Sequence, residues 1–415
     1  MRKKIVVRAP ALSRSGYGEH ARYFLRALRK HEDKYDVYLL NTNWGKTSWI
    51  HHDNEERRWL DMIMQKTIFH QQKNGTYDIS AQVTIPNEWE KMAPINIGIT
   101  AGIETTRVAP QWIEKSFLMD KIIVVSEHSK QVYEDTAYHV KNDKTGEEIT
   151  DFKCRTPIEV VGYPVREYDS APVELELEND FNFLTVAQWG PRKNLTKTIK
   201  WFVEEFIDQE VGLVVKCFAA KNNIADRSAA YYKIKEIMDK FPQRKCKVYL
   251  LHGDMSDEEM TGLYQHPKIK SYLTLTHGEG FGLPIFEAAY NGLPVIAPDW
   301  SGHLDFLYAP VKDKKGKIKN KALFAKVDYT MQPIPKDVIW KGVLEEGSMW
   351  CYAEQGSYKM RMREVFKDYG RFKKQANTLQ KFIKEEFEQQ KMYDIFVNAL
   401  EDLSSEEESQ EVMVL

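Results

Sequence analysis

Short apolar runs alternate with amphipathic segments along the first half of the chain. Runs at 5–9, 36–40, 79–85, 95–101, 121–126 and 158–161 predict strands. Segments such as 20–29 and 129–135 carry a helical apolar face between them. Alternation of this kind argues for a parallel sheet covered by helices on both faces. A second series follows, with strands expected at 181–187, 213–219, 246–251, 271–276, 294–297 and 323–327, and helical pattern from 357 to 403. The intervening stretch 166–181, REYDSAPVELELENDF, is acidic, holds Pro172 and lacks an apolar face, so it reads as a linker. The pattern predicts an α/β chain of two doubly wound domains. The boundaries are 1–168, a linker at 169–181, 182–375, a C-terminal helix at 376–403 packing back toward the first domain, and an acidic tail at 404–415. The run 313–321, DKKGKIKNK, reads as a basic solvated hairpin or loop.

Length agrees: 415 residues exceed one ordinary core and suit two domains of roughly 150–200 residues. The hydrophobic fraction is 42%, enough to fill both, and a formal charge of -2 gives no overall footprint for nucleic acid or an anionic membrane. Cys154, Cys217, Cys246 and Cys351 are far apart and form no C-x-x-C pair, which points to a reducing, cytoplasmic compartment without a zinc site. No stretch approaches a membrane span, so any membrane contact is peripheral.

The most informative segment is 277–297, HGEGFGLPIFEAAYNGLPVIA. It follows an expected strand, opens with Gly278, Gly280 and Gly282 at alternate positions, and continues as a helix over 284–291. Pro284 suits that helix's first turn, and Gly292 ends it. A strand, a tight loop and a helix N-terminus favour an anionic ligand. Glu279 lies in the loop and Glu287 about one turn inside the helix. Carboxylates there suit paired hydrogen bonds from vicinal hydroxyls. A phosphate at the helix end with sugar hydroxyls on either side describes a nucleotide sugar.

This segment resembles the E-x7-E signature of the retaining glycosyltransferases of family four, also called group 1, which have the GT-B fold of two Rossmann-like domains facing across a cleft. The resemblance implies that Glu279 contacts the transferred sugar and Glu287 the donor ribose. It also implies that Gly280, Phe281, Gly282 and Leu283 offer backbone contacts to the donor. The segment 186–196, VAQWGPRKNLT, is similar to the family's V-G-R-x-x-x-x-K-N. Lys193 and Asn194 match it, with Lys193 on the diphosphate. Gln188 stands where the family has Arg, and Arg192 is the neighbouring cation that would compensate. SRSGYGEHARYF, 13–24, resembles the family's N-terminal glycine loop, with Gly16 and Gly18 before a helix and His20 as a helix-start residue. In 102–135, Glu104, Pro110, Trp112, Asp120 and Ser126 follow a family arrangement. Glu104 is the candidate facing the cleft, and Ser126 caps the next helix. The segment 249–264 resembles the strand and loop near the donor base, with His252 and Gly253 lining it and Ser256 and Glu259 forming a capping box. In 300–307, Ser301 and Gly302 fall near the donor, while His303 and Asp305 read equally as structural. Residues 41–75, rich in Trp and His, match nothing in the family.

By resemblance, the chain is a hexosyltransferase that needs no cofactor beyond a nucleotide-sugar co-substrate, with UDP favoured over GDP. The resemblance also implies no metal and retention at the anomeric carbon. The acceptor stays open among glycan, lipid, protein, small molecule and modified nucleic-acid base. Two rivals share the donor: a GT-B nucleotide-sugar epimerase and a degenerate nucleotide-sugar-binding module without transfer activity.

Overall fold

The computed structural model describes residues 2–45, 47–141, 146, 148–313 and 315–408, with the side chains of 401–408 excepted. The chain divides into two compact units. Unit 1 comprises residues up to Pro164 together with Ile334–Ser348 and the chain from Phe387 onward, and unit 2 comprises Val165–Pro333 and Met349–Glu386.

In unit 1 the order of elements is β1 (Lys3–Ala9), α1 (Gly16–Arg29), β2 (Tyr35–Asn41), α2 (Glu55–Gln72), β3 (Ile79–Val83), β4 (Ile95–Thr100), α3 (Pro110–Ser116), β5 (Lys121–Val124), α4 (Glu127–Asp135), β6 (Ala137–Lys141), β7 (Glu148–Lys153) and β8 (Ile158–Val160). Six of the strands form one sheet in the order β2-β1-β3-β4-β5-β8, every pair parallel. Its central strands are buried throughout, because helices cover both faces. Unit 2 runs β9 (Asn182–Gln188), α5 (Leu195–Glu205), β10 (Gly212–Phe218), α6 (Ile224–Met238), β11 (Lys247–Leu251), α7 (Asp257–Tyr264), β12 (Ile269–Leu273), α8 (Leu283–Tyr290), β13 (Val295–Pro298), α9 (Leu304–Leu307), β14 (Tyr308–Lys312), β15 (Ile318–Ala322), β16 (Ala325–Val327), β17 (Tyr329–Pro333), β18 (Met349–Ala353), α10 (Gln355–Lys367) and α11 (Tyr369–Glu386). Its parallel sheet has the order β11-β10-β9-β12-β13-β16. Counted within the sheet, that is the 3-2-1-4-5-6 order of the Rossmann sheet, whose direction reverses between β9 and β12.

Several boundaries differ from the sequence reading. The stretch read as a linker has no regular secondary structure, yet it is held against α7: Ala171 N–H donates to Glu258 O at 3.0 Å, and Leu177 is buried. Gly262 permits this approach, since a Cβ there would stand 1.9 Å from Ala171 O. Residues 334–348, expected in the second domain, cluster with unit 1. The single helix expected over 376–403 is two helices. α11 clusters with unit 2, whereas α12 (Gln389–Glu408) packs on α1 through Phe24 and Phe396, 4.8 Å between ring centroids. Of the expected tail, 404–408 continue α12 and 409–415 lie outside the described residues. Of the basic run, residues 318–321 lie in β15, which pairs antiparallel with β14, and residue 314 lies outside the described residues. The pairs β6–β7 and β17–β18 and the helix α2 were not legible in the pattern.

Candidate functional site

Lys193, Arg192 and Glu279 converge at the reversal of strand order between β9 and β12. The loop after β9 makes a short 3-10 turn over Pro191–Lys193. Asn194 then takes a left-handed φ of 52° and opens α5. Asparagine tolerates that conformation better than most residues, which gives this position a backbone reason for its side chain. The loop after β12 carries Glu279. The two loops are joined: His277 N–H donates to Arg192 O at 2.8 Å, and Arg192 Nη1 donates to Gly278 O at 2.6 Å.

Glu279 is the centre of the site. Its carboxylate is 8% exposed and accepts from Lys193 Nζ at 2.5 Å and from Arg192 Nη1 at 3.0 Å. Burial pushes the carboxyl upward, but Lys193 and Arg192 outweigh it and hold the group at about 2. The backbone on both sides is fixed. Glu279 N–H donates to Ser301 Oγ at 2.9 Å, and Gly302 N–H to Glu279 O at 3.0 Å. Ser301 has φ 89°, strain of the kind that collects at functional sites. Two cations against one carboxylate leave this cluster with surplus positive charge, which suits an anionic ligand.

α8 starts immediately beyond. Gly282, at φ 95°, precedes it, no side chain caps it, and Pro284 lies in its first turn. Its far end is a Schellman turn: Leu293 N–H bonds Ala288 O, and Gly292 N–H, at φ 77°, bonds Ala289 O. Glu287, half-buried on α8, accepts from Tyr264 Oη at 2.9 Å. Tyr264 escaped the sequence reading. It lies on α7, 23 residues upstream, and only folding brings it to the glutamate. The Phe281 ring packs on Phe286 and Phe306.

Other candidates have structural partners. The Gln188 amide donates to Ala219 O at 3.0 Å. His252 Nε2 lies 2.9 Å from Asp226 Oδ2, whose carboxylate also accepts from Ala219 and Ala220 N–H. Gly253, at φ 121°, offers its carbonyl to Lys216 Nζ. His303 is fully buried, with Nε2 2.8 Å from Pro298 O. Ser256 and Glu259 form the expected capping box, and Ser126 caps α4.

In unit 1 the glycine pair corrects the sequence reading. Gly16 and Gly18 are not a loop before the helix but its first turn, with Ser15 as the cap accepting from Gly18 N–H at 3.0 Å. A Cβ on Gly18 would stand 2.0 Å from Ser13 O, whereas one on Gly16 would meet nothing within 4 Å. Both ring nitrogens of His20 are buried without a hydrogen-bond partner, among Tyr23, Tyr163 and Phe396. Glu104 follows β4 and is half-buried, close enough to Tyr17 to help raise its phenol. No helix among the described residues is long and apolar enough to cross a membrane.

No protein-family model and no curated protein matches the chain. Solved structures do. HepE of Anabaena, in complex with UDP and glucose, is similar at a TM-score of 0.62 and 12% identity, covering 97% of this chain and 100% of that one. Sucrose-phosphate synthase from Thermosynechococcus elongatus is similar at 0.60 and 12%, with the same coverage. A glycosyltransferase from Rickettsia africae reaches 0.54 at 12%, covering 96% and 99%. The fold is therefore that of the GT-B glycosyltransferases, with two Rossmann-like units.

Proposed function

We propose that the chain is a retaining glycosyltransferase that takes a hexose from a UDP-sugar. The observation that carries this reading is the cluster of Glu279, Lys193 and Arg192 at the strand-order reversal of unit 2, with Glu287 eight residues along the chain, about one turn inside α8. In this reading Lys193 and Arg192 hold the donor diphosphate, together with the N-terminus of α8. Glu279, kept ionised by the same two cations, accepts hydrogen bonds from the hydroxyls of the transferred sugar. Glu287, oriented by Tyr264, accepts those of the ribose. During transfer the bond from the anomeric carbon to the diphosphate oxygen breaks and a bond to an acceptor hydroxyl forms on the same face. The acceptor's proton leaves with the diphosphate. Charge develops on the departing diphosphate, where preorganised cations and helix N–H groups act most strongly. UDP is favoured over GDP, in keeping with the UDP bound to HepE. A reducing, cytoplasmic setting accords with four free cysteines.

The test is thermal unfolding with a panel of UDP-, GDP- and ADP-sugars, for the natural chain and Glu287→Ala. A ligand at 100 times its dissociation constant adds about 2.7 kcal/mol of stability. A rise in Tm with UDP-sugars alone, absent in Glu287→Ala, is the expected result. No rise with any nucleotide sugar would remove the transferase reading.

A further inference from the structure

Residues 42–45 and 47–50, which the family resemblance left unexplained, belong to a loop sewn onto the turn that follows β1. Arg14 N–H donates to Ser48 O and Ile50 N–H to Leu12 O, each at 2.8 Å. Ser13 and Trp49 form an antiparallel bridge, and the Ser13 and Thr47 hydroxyls share a 2.6 Å hydrogen bond. The loop is thereby held at the carboxyl ends of the strands, where doubly wound sheets bind their ligands. What it holds there is aromatic surface. The Trp44 ring lies on Tyr17, 4.2 Å between centroids at 32°, and is itself only half-buried, while Trp49 is 43% exposed.

Tyr17 is a fixed base for this surface. It is buried, its Oη shares a 2.7 Å hydrogen bond with Thr100, and it accepts from Gly102 N–H at 3.1 Å. A Cβ on Gly102 would stand 2.9 Å from that oxygen, so glycine is what lets the hydroxyl reach the strand end. Burial, with Glu104 adding to it, pushes the Tyr17 phenol up to about 12, so it stays neutral.

A sugar ring fits this arrangement. A pyranose turns a face of C–H bonds to an aromatic ring and keeps hydroxyls at its rim, where a carboxylate such as Glu104 accepts two at once. The same carboxylate disfavours a second phosphate-bearing ligand. We propose that Trp44, packed on Tyr17, and Trp49 of the same loop form, with Glu104 two residues beyond Gly102, a carbohydrate subsite that receives the acceptor, which is therefore a neutral sugar or glycan. This rests on the transferase reading above. The nucleophile is then a sugar hydroxyl, whose oxygen bonds the anomeric carbon as the diphosphate leaves with the hydroxyl proton.

The experiment is a glycan array followed by saturation-transfer NMR with the free sugars it selects, on the natural chain, Trp44→Ala, Trp49→Ala and Trp49→Phe. UDP-glucose melting shifts are recorded for each. The expected result is binding of a neutral glycan that weakens at least tenfold in both alanine variants and is largely kept in Trp49→Phe, with the UDP-glucose shift unchanged throughout. Binding that survives both alanine changes, or no glycan binding by a chain that still answers to UDP-glucose, would overturn the subsite and leave the donor reading standing. Failure of every nucleotide sugar would instead remove the reading on which the subsite depends.

Discussion

Lys193 Nζ lies 2.5 Å from Glu279 Oε1, although 86 residues separate them in the chain. The pair crosses the reversal of strand order in unit 2, and Arg192 completes it from the other carboxylate oxygen at 3.0 Å. A donor diphosphate would share Lys193 with Glu279, so the cation is positioned before the ligand arrives. Lys193→Ala is expected to lower kcat by about 10²–10³, the range typical of a lost donor at a site of developing charge. Single-turnover kinetics on a UDP-sugar would check it.

The same pair fixes a pH dependence. With its carboxyl held at about 2, below the ordinary value of 4.5, Glu279 stays charged through the working range. A depressed carboxyl contributes stability above its unfolded value and loses it as pH falls toward 2. The kcat/KM profile should therefore show no acid limb near pH 4–6 that belongs to Glu279. A limb there that disappears in Glu279→Gln would contradict the ion pair.

Tyr264 and Glu287 give a quieter prediction. Tyr264→Phe removes the 2.9 Å hydrogen bond that orients the carboxylate, at a cost of about 1 kcal/mol, or about fivefold in donor affinity. Calorimetry with UDP should show weaker binding in this variant, with kcat at saturating donor little changed. Glu287→Ala should weaken binding further.

The two glycines of α1 should behave oppositely. Gly18→Ala drives a methyl into Ser13 O, and overpacking of that order costs about 1–3 kcal/mol. Gly16→Ala has open space in a helical turn and should gain about 0.5–1 kcal/mol. Denaturant melts separate the two, and the response of Gly16→Ala to UDP-glucose tells whether a ligand approaches that backbone.

His20 supplies an acid sensitivity of its own. Burial lowers its value from 6.5 to about 3, and Glu19 opposes this only in part. The unfolded chain takes up a proton below pH 6.5 and the folded chain does not, so stability falls as pH drops from 6.5 toward 3. Between pH 7.5 and pH 5 the loss from this residue is about 2 kcal/mol. In His20→Phe, which keeps an aromatic ring among Tyr23, Tyr163 and Phe396, the gap between melts at the two pH values should narrow by about that amount.

The sequence by itself determined the twelve strands of the two main sheets to within a few residues, because each is a short apolar run closed by turn residues, and the central ones are buried on both faces. It determined the punctuation of α8 as well: Gly282 and Gly292 sit at positive φ at either end, where local sterics leave little choice. Capping by Ser126 and Ser256 was equally local. The tertiary structure decided the rest. The hairpin β6–β7 and the strand β17 lie outside the main sheets and bury little, so no apolar run marks them, whereas β18, MWCYA, is an apolar run with Trp350 and Cys351 buried that pairs outside the main sheet. The first turn of α1 holds two glycines that composition assigns to a loop, and the Ser15 cap together with the approach of Ser13 O makes it helix. The partners of the site residues were decided last. Tyr264 on α7 reaches Glu287 on α8, and Lys193 and Arg192 reach Glu279, only because parallel strands set distant helices and loops side by side, a proximity that no local pattern encodes.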